Sequence, residues 1–440
     1  MNYYLAIDIG STSGRHMVGW MENGEIRQQA VYRFENRWIR TADHITWNLD
    51  LLFEEVKKGM KEAFRQFPEI RSLSVDAWGS DYVLMNGSRE ILPSYTYRDA
   101  RSVRAVDQVH AIIPFEELYA RTGYQFAATN TIYQLYADKL EGRLDQATDF
   151  LLMPEYILYR LSGLKMYERT NHFTTSLTDP RTGEYDLELT SLLGFPERLF
   201  PKLSAPGTFM GPLLPQIAEE TGGSCDVVLC ATHDTESAIS VIPMEDDEVY
   251  ISSGTWSLLG TKLHEPITSK EGASAGFSNE AGLSYICYLT NIVGMWIPAQ
   301  LRKDLCPELS FDEIVGLARK SSYRNIYDPM QSCFQTPVSM SHAIREELKR
   351  TGTRAPETVG DYFSCVYRSL ADAYRRNIKA LERVTGRTFK YVYITGGGAR
   401  NEFLNELTEE ATGKKVKAYP IEASSAGNIL MQINAMKARM

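Results

Sequence analysis

The segment "YYLAIDIGSTSGRHMVGWM", residues 3–21, has a layout that is repeated by "VYISSGTWSLLGTKL", residues 249–263. Each begins with an apolar run typical of a strand, continues through a tight polar turn and returns as a second strand. In the two turns, Gly10, Ser11 and Thr12 correspond to Gly254, Thr255 and Trp256. The repetition predicts a duplicated lobe whose two hairpin turns face each other across a cleft, although so short a repeat also arises by chance.

Strands alternate with helices along the rest of the chain, which predicts an α/β fold built in layers. Run length and composition predict strands at "IRSLSVDAW" (70–78) and "CDVVLCA" (225–231), and an edge strand at "KVKAYP" (415–420). Apolar spacing predicts helices over residues 49–67, 101–111, 130–140, 150–161 and 360–386. Residues 391–413 are predicted to form a strand, a glycine turn and a helix. A junction near residues 243–247 predicts two domains, 1–243 and 244–440.

The composition is that of an ordinary soluble protein, with 43% hydrophobic and 23% charged residues among 440. A net charge of −9 disfavours nucleic acid and anionic membranes as partners, although a pocket of backbone amides can still bind phosphate. No apolar run approaches the roughly 18 residues of a membrane span, and the N-terminus has no signal-peptide pattern. The six cysteines lack CxxC spacing, which predicts reduced thiols in a cytoplasmic protein.

Three glycine-containing turns are candidates for binding a polyphosphate. In "DIGSTSGR", amides and hydroxyls can reach phosphate oxygens, and Asp8 puts a carboxylate where Mg²⁺ bridging those phosphates is held. "SSGTWS" offers similar donors without an acid, and "TGGGARN" joins a strand to a helix where a base or ribose can lie against the chain. Each segment is also compatible with a purely structural turn, and neither a GK[ST] nor a GxGxxG pattern accompanies them.

The segment "VVLCATHDTESA", residues 227–238, puts His233 and Asp234 between a strand and a helix. Asp234 can be the N-cap of that helix, and His233 can be a buried core residue. Asp234 can also be the base that accepts the proton of an attacking hydroxyl, a group that phosphoryl transfer requires. The two interpretations are compatible, because the carboxyl ends of strands are where α/β proteins collect ligands.

Other polar loops are candidates for a sugar site. "DAWGSDY" combines Trp78 and Gly79 with a nearby carboxylate, an aromatic and acidic combination that is common in sugar sites. "YRDAR" contributes Arg98 and Asp99, which are equally compatible with a solvated ion pair. "TNIVGMW" contributes Asn291 after an apolar strand, and a structural role is as compatible with its position.

These motifs, in this order, resemble the FGGY family of carbohydrate kinases. The segments that carry the resemblance are "AIDIGSTSGR", "DAWGSDYVL", "YRDAR", "LLMPEYILYRLSG", "THDTESA", "ISSGTWSLLG", "NIVGMW" and "ITGGGARNEFLN". Each is modest alone, but together they are specific and cover residues 3–430. Within the family, "HITWNLDLL", "TNTIYQLYA" and "EASSAGNI" are most similar to the bacterial members that phosphorylate L-rhamnulose.

The resemblance implies two actin-like (ribonuclease H-like) lobes, with ATP and Mg²⁺ bound in the cleft between them. It implies that Asp234 is the general base and that Asp8 is the acid at the metal. The nucleotide contacts it implies are Ser11, Thr12, Ser13, Gly14, Arg15, Thr255, Gly396, Gly397 and Asn401. The sugar contacts it implies are Gly79, His233, Asp234, Thr235 and Asn291, to which the polar loops add Trp78, Arg98 and Asp99.

The implied activity is ATP-dependent phosphorylation of O1 of a ketose, L-rhamnulose, by a monomer or homodimer. The alternatives are a kinase for another ketose or polyol such as L-fuculose or L-xylulose, a non-catalytic actin-like protein, and an ATPase or phosphohydrolase. Two departures from the family stand out. The position of its nucleotide-contacting Gln falls on Ala299, with Gln300 one residue later. The chain also ends soon after "GNILMQINAMKARM", where the family usually continues, which implies a shortened last helix.

Overall fold

The computed structural model describes residues 1–245, 247–335, 337–419 and 422–439. Its strands are β1 (Tyr3–Ile9), β2 (Ser13–Glu22), β3 (Glu25–Glu35), β4 (Trp38–Arg40), β5 (Ile45–Trp47), β6 (Ile70–Ala77), β7 (Tyr82–Asn86), β8 (Arg89–Glu90), β9 (Asp149–Leu152), β10 (Thr178–Asp179), β11 (Glu184–Tyr185), β12 (Thr208–Pro212), β13 (Asp226–Leu229), β14 (Glu248–Ser253), β15 (Trp256–Leu263), β16 (Ser278–Ala281), β17 (Ile286–Val293), β18 (Tyr391–Thr395) and β19 (Lys415–Ala418). Its helices are α1 (Leu49–Gln66), α2 (Val103–Ile112), α3 (Phe115–Thr122), α4 (Thr131–Leu140), α5 (Met153–Ser162), α6 (Arg169–His172), α7 (Leu187–Leu192), α8 (Pro215–Thr221), α9 (Asp234–Ser240), α10 (Lys270–Ser274), α11 (Trp296–Leu305), α12 (Phe311–Lys320), α13 (Met340–Arg350), α14 (Val359–Thr385), α15 (Glu402–Thr412) and α16 (Ala423–Lys437).

The chain divides into two compact units, each assembled from more than one segment. The first unit contains Met1–Val241, Leu263–Cys287 and the segment from Ser424 onward, and the second contains Ile242–Lys262 and Tyr288–Ala423. Residues 263–287 and those from 424 therefore pack with the first unit, although they follow the predicted boundary at residues 243/244. That boundary stays a prediction, and Asp246 within the predicted junction lies outside the described residues.

Among the described residues, a six-stranded sheet organises the first unit, in the order β12-β13-β6-β1-β2-β3. β1 is antiparallel to β2 and parallel to β6, which is itself parallel to β13. Asp8 and Asp76 are register partners on β1 and β6, and His233, after β13, bridges to Ala77. The carboxyl ends of the parallel strands meet at one edge of the sheet. Asp8, Asp76 and the start of α9 are therefore brought together there.

Helices α1 and α16 pack against this first sheet in different ways. Asn48 caps α1 by accepting a hydrogen bond from the Leu51 amide at 3.0 Å, and the apolar face of α1, with Val56 at its centre, is buried. Helix α16 is fixed by buried polar contacts. Gln432 donates to the Leu5 carbonyl at 3.0 Å and to Asn428 Oδ1 at 2.7 Å. Because these groups are buried and satisfied, they fix the position of α16 against the sheet.

The second unit has its own sheet, in which β17, β15, β14, β18 and β19 are neighbours in that order. β14 is antiparallel to β15 and parallel to β18, the same relation that β1 has to β2 and β6. Helix α14 begins with a capping box formed by Thr358 and Asp361, and its apolar face is buried. The repeated hairpin of the sequence is thus a real structural repeat, with one copy in each unit.

Most predicted elements are confirmed, including the hairpins after residues 3 and 249 and the long helix α14. The helix predicted over 150–161 is wrong at its start, because residues Asp149–Leu152 form β9, paired with β7, before α5 begins at Met153. A short apolar run does not by itself distinguish a buried strand from a helix. β19 is the predicted edge strand, and Pro420 lies outside the described residues. None of the helices described here is both long and apolar enough to cross a membrane.

Candidate active site

The carboxylate of Asp8 lies buried at the end of β1, where three side chains donate to one of its oxygens. Arg15 on β2 donates to Asp8 Oδ2 from Nε at 3.0 Å and from Nη2 at 2.7 Å. Ser425 Oγ donates to the same oxygen at 3.3 Å, and Ser424 Oγ also donates to it. The predicted nucleotide contact Arg15 therefore lies against Asp8, and its side chain is 27% exposed. A phosphate bound here would share the guanidinium with Asp8.

Asp76, on the neighbouring strand, is an acidic residue that the sequence reasoning missed. It is fully buried, and Asn428 of α16 donates to its Oδ2 at 2.6 Å. Burial raises the pKa of Asp76 well above its ordinary value, and the nearby charges of Asp8 and Asp234 raise it further. In a buried site, several neighbouring carboxyl groups cannot all be ionised without a large electrostatic cost. Asp76 is therefore a second buried acid beside Asp8 at this end of the sheet.

Asp234 is the first residue of α9, and His233 occupies the N-cap position with extended backbone. The alternative that Asp234 is the N-cap is therefore wrong. Its side chain is 33% exposed, and Oδ1 accepts a hydrogen bond from Thr235 Oγ1 at 3.2 Å. Burial raises the pKa of Asp234, His233 opposes that rise, and Asp8 adds to it. A partly open carboxylate with a raised pKa at a strand end has the properties of a general base.

His233 lies between two carboxylates. Its Nε2 is 3.6 Å from Asp234 Oδ1, and its Nδ1 is 3.2 Å from Oε2 of Glu280 on β16. The other oxygen of Glu280 accepts a hydrogen bond from Tyr124 Oη at 3.1 Å. Burial lowers the pKa of His233, but Glu280 and the other nearby carboxylates outweigh it and raise the pKa to about 9. The sequence reasoning missed Glu280 and Tyr124, since no local motif marks either residue.

The first polar turn is held in shape by Asn36, another residue that the sequence reasoning missed. Asn36 Nδ2 donates to the Gly10 carbonyl at 3.0 Å, and its amide donates to the Thr12 carbonyl at 3.0 Å. The turn closes through the Gly10 amide, which donates to the Ser13 carbonyl at 2.8 Å. Thr12 and Ser13 are exposed, Ser11 is half-buried, and Gly14 is buried against the Phe34 ring. Exposed hydroxyls on a fixed turn can donate to phosphate oxygens.

In the loop after β6, Trp78 and Gly79 lie close to the site's strand ends. Trp78 is buried, and its indole nitrogen donates to Asp81 Oδ2 at 3.0 Å. Burial raises the pKa of Asp81 to about 7. A Cβ at Gly79 would lie 2.8 Å from the Thr174 side chain, so no larger residue fits there. Trp78 therefore has a packing role whether or not it contacts a sugar.

Arg98 and Asp99, the other predicted loop residues, differ in their surroundings. Asp99 is buried and accepts hydrogen bonds from the amides of Ile45 at 2.7 Å and Arg101 at 2.9 Å, which fixes the loop. The Arg98 guanidinium lies 4.8 Å from the centre of the Tyr97 ring, and its Nε is buried without a hydrogen-bond partner. Of the two, Arg98 has donor capacity that a ligand can use.

The remaining predicted contacts lie in the second unit. Thr255 is exposed in the β14–β15 turn, and its carbonyl accepts from the Gly294 amide at 3.1 Å. Asn291 lies within β17 rather than after it, and its Oδ1 is buried without a hydrogen-bond partner. Ala299 and Gln300 are neighbours on α11, and they point about 100° apart around the helix axis. The two side chains therefore point in different directions, and the nucleotide contact stays a prediction.

The glycine turn after β18 is closely packed on one side and open on the other. Gly396 has a φ of 80°, in the left-handed region that favours glycine. A Cβ at Gly398 would lie 1.9 Å from Ser253 Oγ, whereas a Cβ at Gly397 would meet no described atom within 4 Å. Asn401 caps α15 by accepting from the Leu404 amide at 3.0 Å. Gly397 thus has open space beside it that a ligand can approach.

Comparison with known proteins identifies the family. Residues 3–240 match the N-terminal domain, and residues 249–436 the C-terminal domain, of the FGGY family of carbohydrate kinases. The chain belongs to this family. The FGGY kinase is 35% identical over 436 residues to a rhamnulokinase of Oceanobacillus iheyensis, covering 98% of this chain and 93% of that relative. It is 37% identical over 440 residues to a rhamnulokinase of Halalkalibacterium halodurans, covering 99% and 94%.

Solved structures share the fold of this FGGY kinase at low sequence identity. A gluconate kinase from Lactobacillus acidophilus superposes with a TM-score of 0.83 at 15% identity, covering 99% of this chain and 90% of that one. A glycerol kinase from Plasmodium falciparum, solved with ADP, gives a TM-score of 0.78 at 13% identity, covering 100% and 90%. The predicted family, its two-domain α/β fold and the carbohydrate-kinase class are thereby confirmed. ATP use follows from the family, whereas the roles of individual residues stay predictions.

Proposed function

We propose that this FGGY kinase transfers the γ-phosphoryl group of ATP to O1 of L-rhamnulose, giving L-rhamnulose 1-phosphate and ADP. The observation that carries the proposal is the position of Asp234, a partly exposed carboxylate at the start of α9 beside His233. Support for the sugar comes from relatives named rhamnulokinase, which are 35% and 37% identical to this chain over nearly its whole length.

Asp234 acts as the general base in this proposal. Its carboxylate accepts the proton of the O1 hydroxyl as O1 bonds to the γ-phosphorus and the bond to the β,γ-bridging oxygen breaks. ADP is the leaving group and takes the electron pair of that bond, so charge and atoms balance. The raised pKa of Asp234 favours this role, because a stronger base accepts the proton more readily.

Binding of ATP falls to the two polar turns and the glycine turn. The exposed hydroxyls at Thr12 and Ser13 and the exposed Thr255 supply donors for phosphate oxygens, and the open side of Gly397 accepts the nucleoside. Arg15 adds positive charge to the first turn through its partly exposed guanidinium. These assignments follow the family resemblance residue by residue.

Mg²⁺ fits the donors that the first unit presents. Proteins commonly hold Mg²⁺ through one or two carboxylates, with substrate phosphates and water completing the shell. Among the described residues, no group of three or more His, Cys, Asp or Glu side chains is placed to hold a metal ion. Asp8 would hold the ion, and all of its hydrogen bonds noted above fall on Oδ2. When bound, Mg²⁺ neutralises charge on the phosphates.

A cytoplasmic location belongs to the same proposal. All six cysteines are thiols rather than disulfides, and five of them are buried. Reduced cysteines are usual where glutathione and thioredoxin keep thiols reduced, and phosphorylated sugars are made where ATP is available.

The proposal is tested by coupled ADP release with a panel of ketoses and polyols at fixed ATP and Mg²⁺. We expect L-rhamnulose to give the highest kcat/KM, above L-fuculose and L-xylulose. Equal rates with all three sugars would remove the substrate assignment but keep the kinase. ADP release that no sugar increases would favour an ATPase, and the absence of both ATP binding and turnover would contradict the kinase assignment for this chain.

A further inference from the structure

A second carboxylate stands on the far side of His233 from the predicted base. Glu280 on β16 is 3% exposed, and its Oε2 lies 3.2 Å from His233 Nδ1. The opposite ring nitrogen, Nε2, lies 3.6 Å from Asp234 Oδ1. The imidazole therefore lies between a buried acid, Glu280, and the partly exposed acid Asp234. Its Nδ1 is buried and makes no hydrogen bond with ideal geometry to the described residues, so the contact with Glu280 is a close charged contact.

A buried carboxylate such as Glu280 is unfavourable unless donors or a cation compensate its charge. Tyr124 Oη is one donor, at 3.1 Å from Glu280 Oε1, and burial raises the pKa of that phenol well above its ordinary value. Tyr124 thus stays protonated and supplies a hydrogen bond but no charge. His233 is the group in contact with Glu280 that can supply a positive charge.

The surroundings of His233 favour that charge. Glu280 lies against it from β16, and Asp234 is close to it at the start of α9. Glu236, in the first turn of α9, adds negative charge nearby. The backbone amide of His233 is 3.5 Å from Thr170 Oγ1 on α6, so this neighbouring element contributes a neutral group there. Together the three carboxylates outweigh burial, and the pKa of His233 is raised to about 9. An imidazolium has a proton on both nitrogens and therefore donates in both directions.

We propose that Glu280 is a positioning residue, which holds His233 as a doubly protonated cation and directs its Nε2–H into the acceptor site as a fixed hydrogen-bond donor to the sugar. The identity of the ligand rests on the proposed function, whereas the charge state and orientation of His233 do not. A neutral imidazole can place its single proton on either nitrogen, so without Glu280 the donor toward the sugar is no longer guaranteed. Glu280 thereby affects sugar binding without touching the sugar.

The test uses the full-length protein with ¹³C,¹⁵N-labelled histidine, and follows the ring signals by NMR between pH 5 and 10. The chain has seven histidines, and His233→Asn identifies the signals of His233 by their disappearance. We expect His233 to stay protonated through neutral pH in the parent protein and to titrate below pH 7 in Glu280→Gln. In kinetics with the best ketose of the panel, Glu280→Gln should raise KM for the sugar by about 10-fold, the lower range for losing a charged hydrogen bond. KM for ATP should be unchanged.

Two variants separate positioning from general structure. Tyr124→Phe removes a hydrogen bond to Glu280 but leaves its charge, so His233 should stay protonated and the sugar KM should change by less than about 3-fold. Glu280→Asp restores the charge on a shorter side chain and should recover part of the His233 protonation. A purely structural role would instead make Tyr124→Phe and Glu280→Gln alike.

An unchanged His233 titration in Glu280→Gln would overturn the proposal, as would an equal rise in the KM of sugar and ATP. If Glu280→Gln does not fold, the titration of His233 in the parent protein tests the proposal. A pKa of His233 at or below its ordinary value of about 6.5 would contradict the cationic state. A parent protein that phosphorylates no ketose contradicts the proposed function, and the histidine titration still gives an independent answer for Glu280.

Discussion

Replacing Asp234 by Asn is the most informative single perturbation of the site. Asn has nearly the same shape, and its Oδ1 can still accept the hydrogen bond from Thr235 Oγ1, which is 3.2 Å away in the parent protein. The amide cannot accept the proton of a sugar hydroxyl. The substitution therefore removes the base while leaving the contacts at the start of α9.

The expected magnitude follows from these two facts. A positioned general base contributes about 10²–10⁴ in rate, so kcat should fall by that factor, or about 3–5 kcal/mol in the barrier. Stability should change little. Losing a carboxylate from the first turn of a helix costs about 0.3–1 kcal/mol, and losing its repulsion with Asp8 acts in the opposite direction. The net change in the free energy of unfolding should be below about 1 kcal/mol.

The assay combines ADP release with the preferred ketose, ATP binding by calorimetry, and thermal unfolding. Asp50→Asn is the matched control, because Asp50 is also in the first turn of a helix, α1, and its side chain is 93% exposed. It should match Asp234→Asn in stability and keep full activity. Near-normal turnover of Asp234→Asn would refute the base assignment, and a loss of ATP binding equal to the loss in kcat would show a defect of the nucleotide site instead.

Other substitutions test the remaining parts. Gly397→Ala should keep the stability of the protein and raise KM for ATP. Gly398→Ala should destabilise the fold, because its Cβ would lie 1.9 Å from a buried hydroxyl. Thermal unfolding and ATP kinetics compare the two variants. Asn36→Ala loses the side-chain hydrogen bond to the first turn and should raise KM for ATP about 2–10-fold, measured with saturating sugar. Asp8→Asn should raise the Mg²⁺ concentration that gives half-maximal rate, and an unchanged Mg²⁺ titration would contradict the metal role. Burial lowers the pKa of His16 to about 4. The free energy of unfolding should therefore fall by up to about 3 kcal/mol as the pH falls from about 6.5 toward 4. In denaturant titrations at several pH values, His16→Gln should show a smaller loss over this range.

The sequence predicts those elements and site residues whose pattern lies within one short segment. The β1–β2 and β14–β15 hairpins each combine apolar strands with a glycine turn, and both are found in the structure. The position of Asp234 between β13 and α9 is equally local. The start of α5 is the contrasting case, because the four residues before it, three of them apolar, pair with β7 as a strand. That pairing depends on residues about 70 positions earlier in the chain.

The missed residues of the site depend on distant contacts. Asp76 belongs to the site because it lies beside Asp8 on the adjacent strand and accepts a hydrogen bond from Asn428, which is 352 residues later. Glu280 matters through His233 and Tyr124, the latter 156 residues away. No periodicity or motif within one segment reports such pairs. Asp76 and Glu280 lie in strands that contain other polar residues, so neither acid stands out in the sequence.

The most direct test of the central claim is identification of the product. The protein is incubated with ATP, Mg²⁺ and L-rhamnulose labelled with ¹³C at C1, and the reaction is followed by ¹³C and ³¹P NMR. We expect one new phosphate monoester whose phosphorus couples to C1, formed in equal amount with ADP, and we expect this product to be lost in Asp234→Asn. Inorganic phosphate in place of the ester, or a phosphate ester whose phosphorus does not couple to the labelled C1, would contradict the proposed reaction.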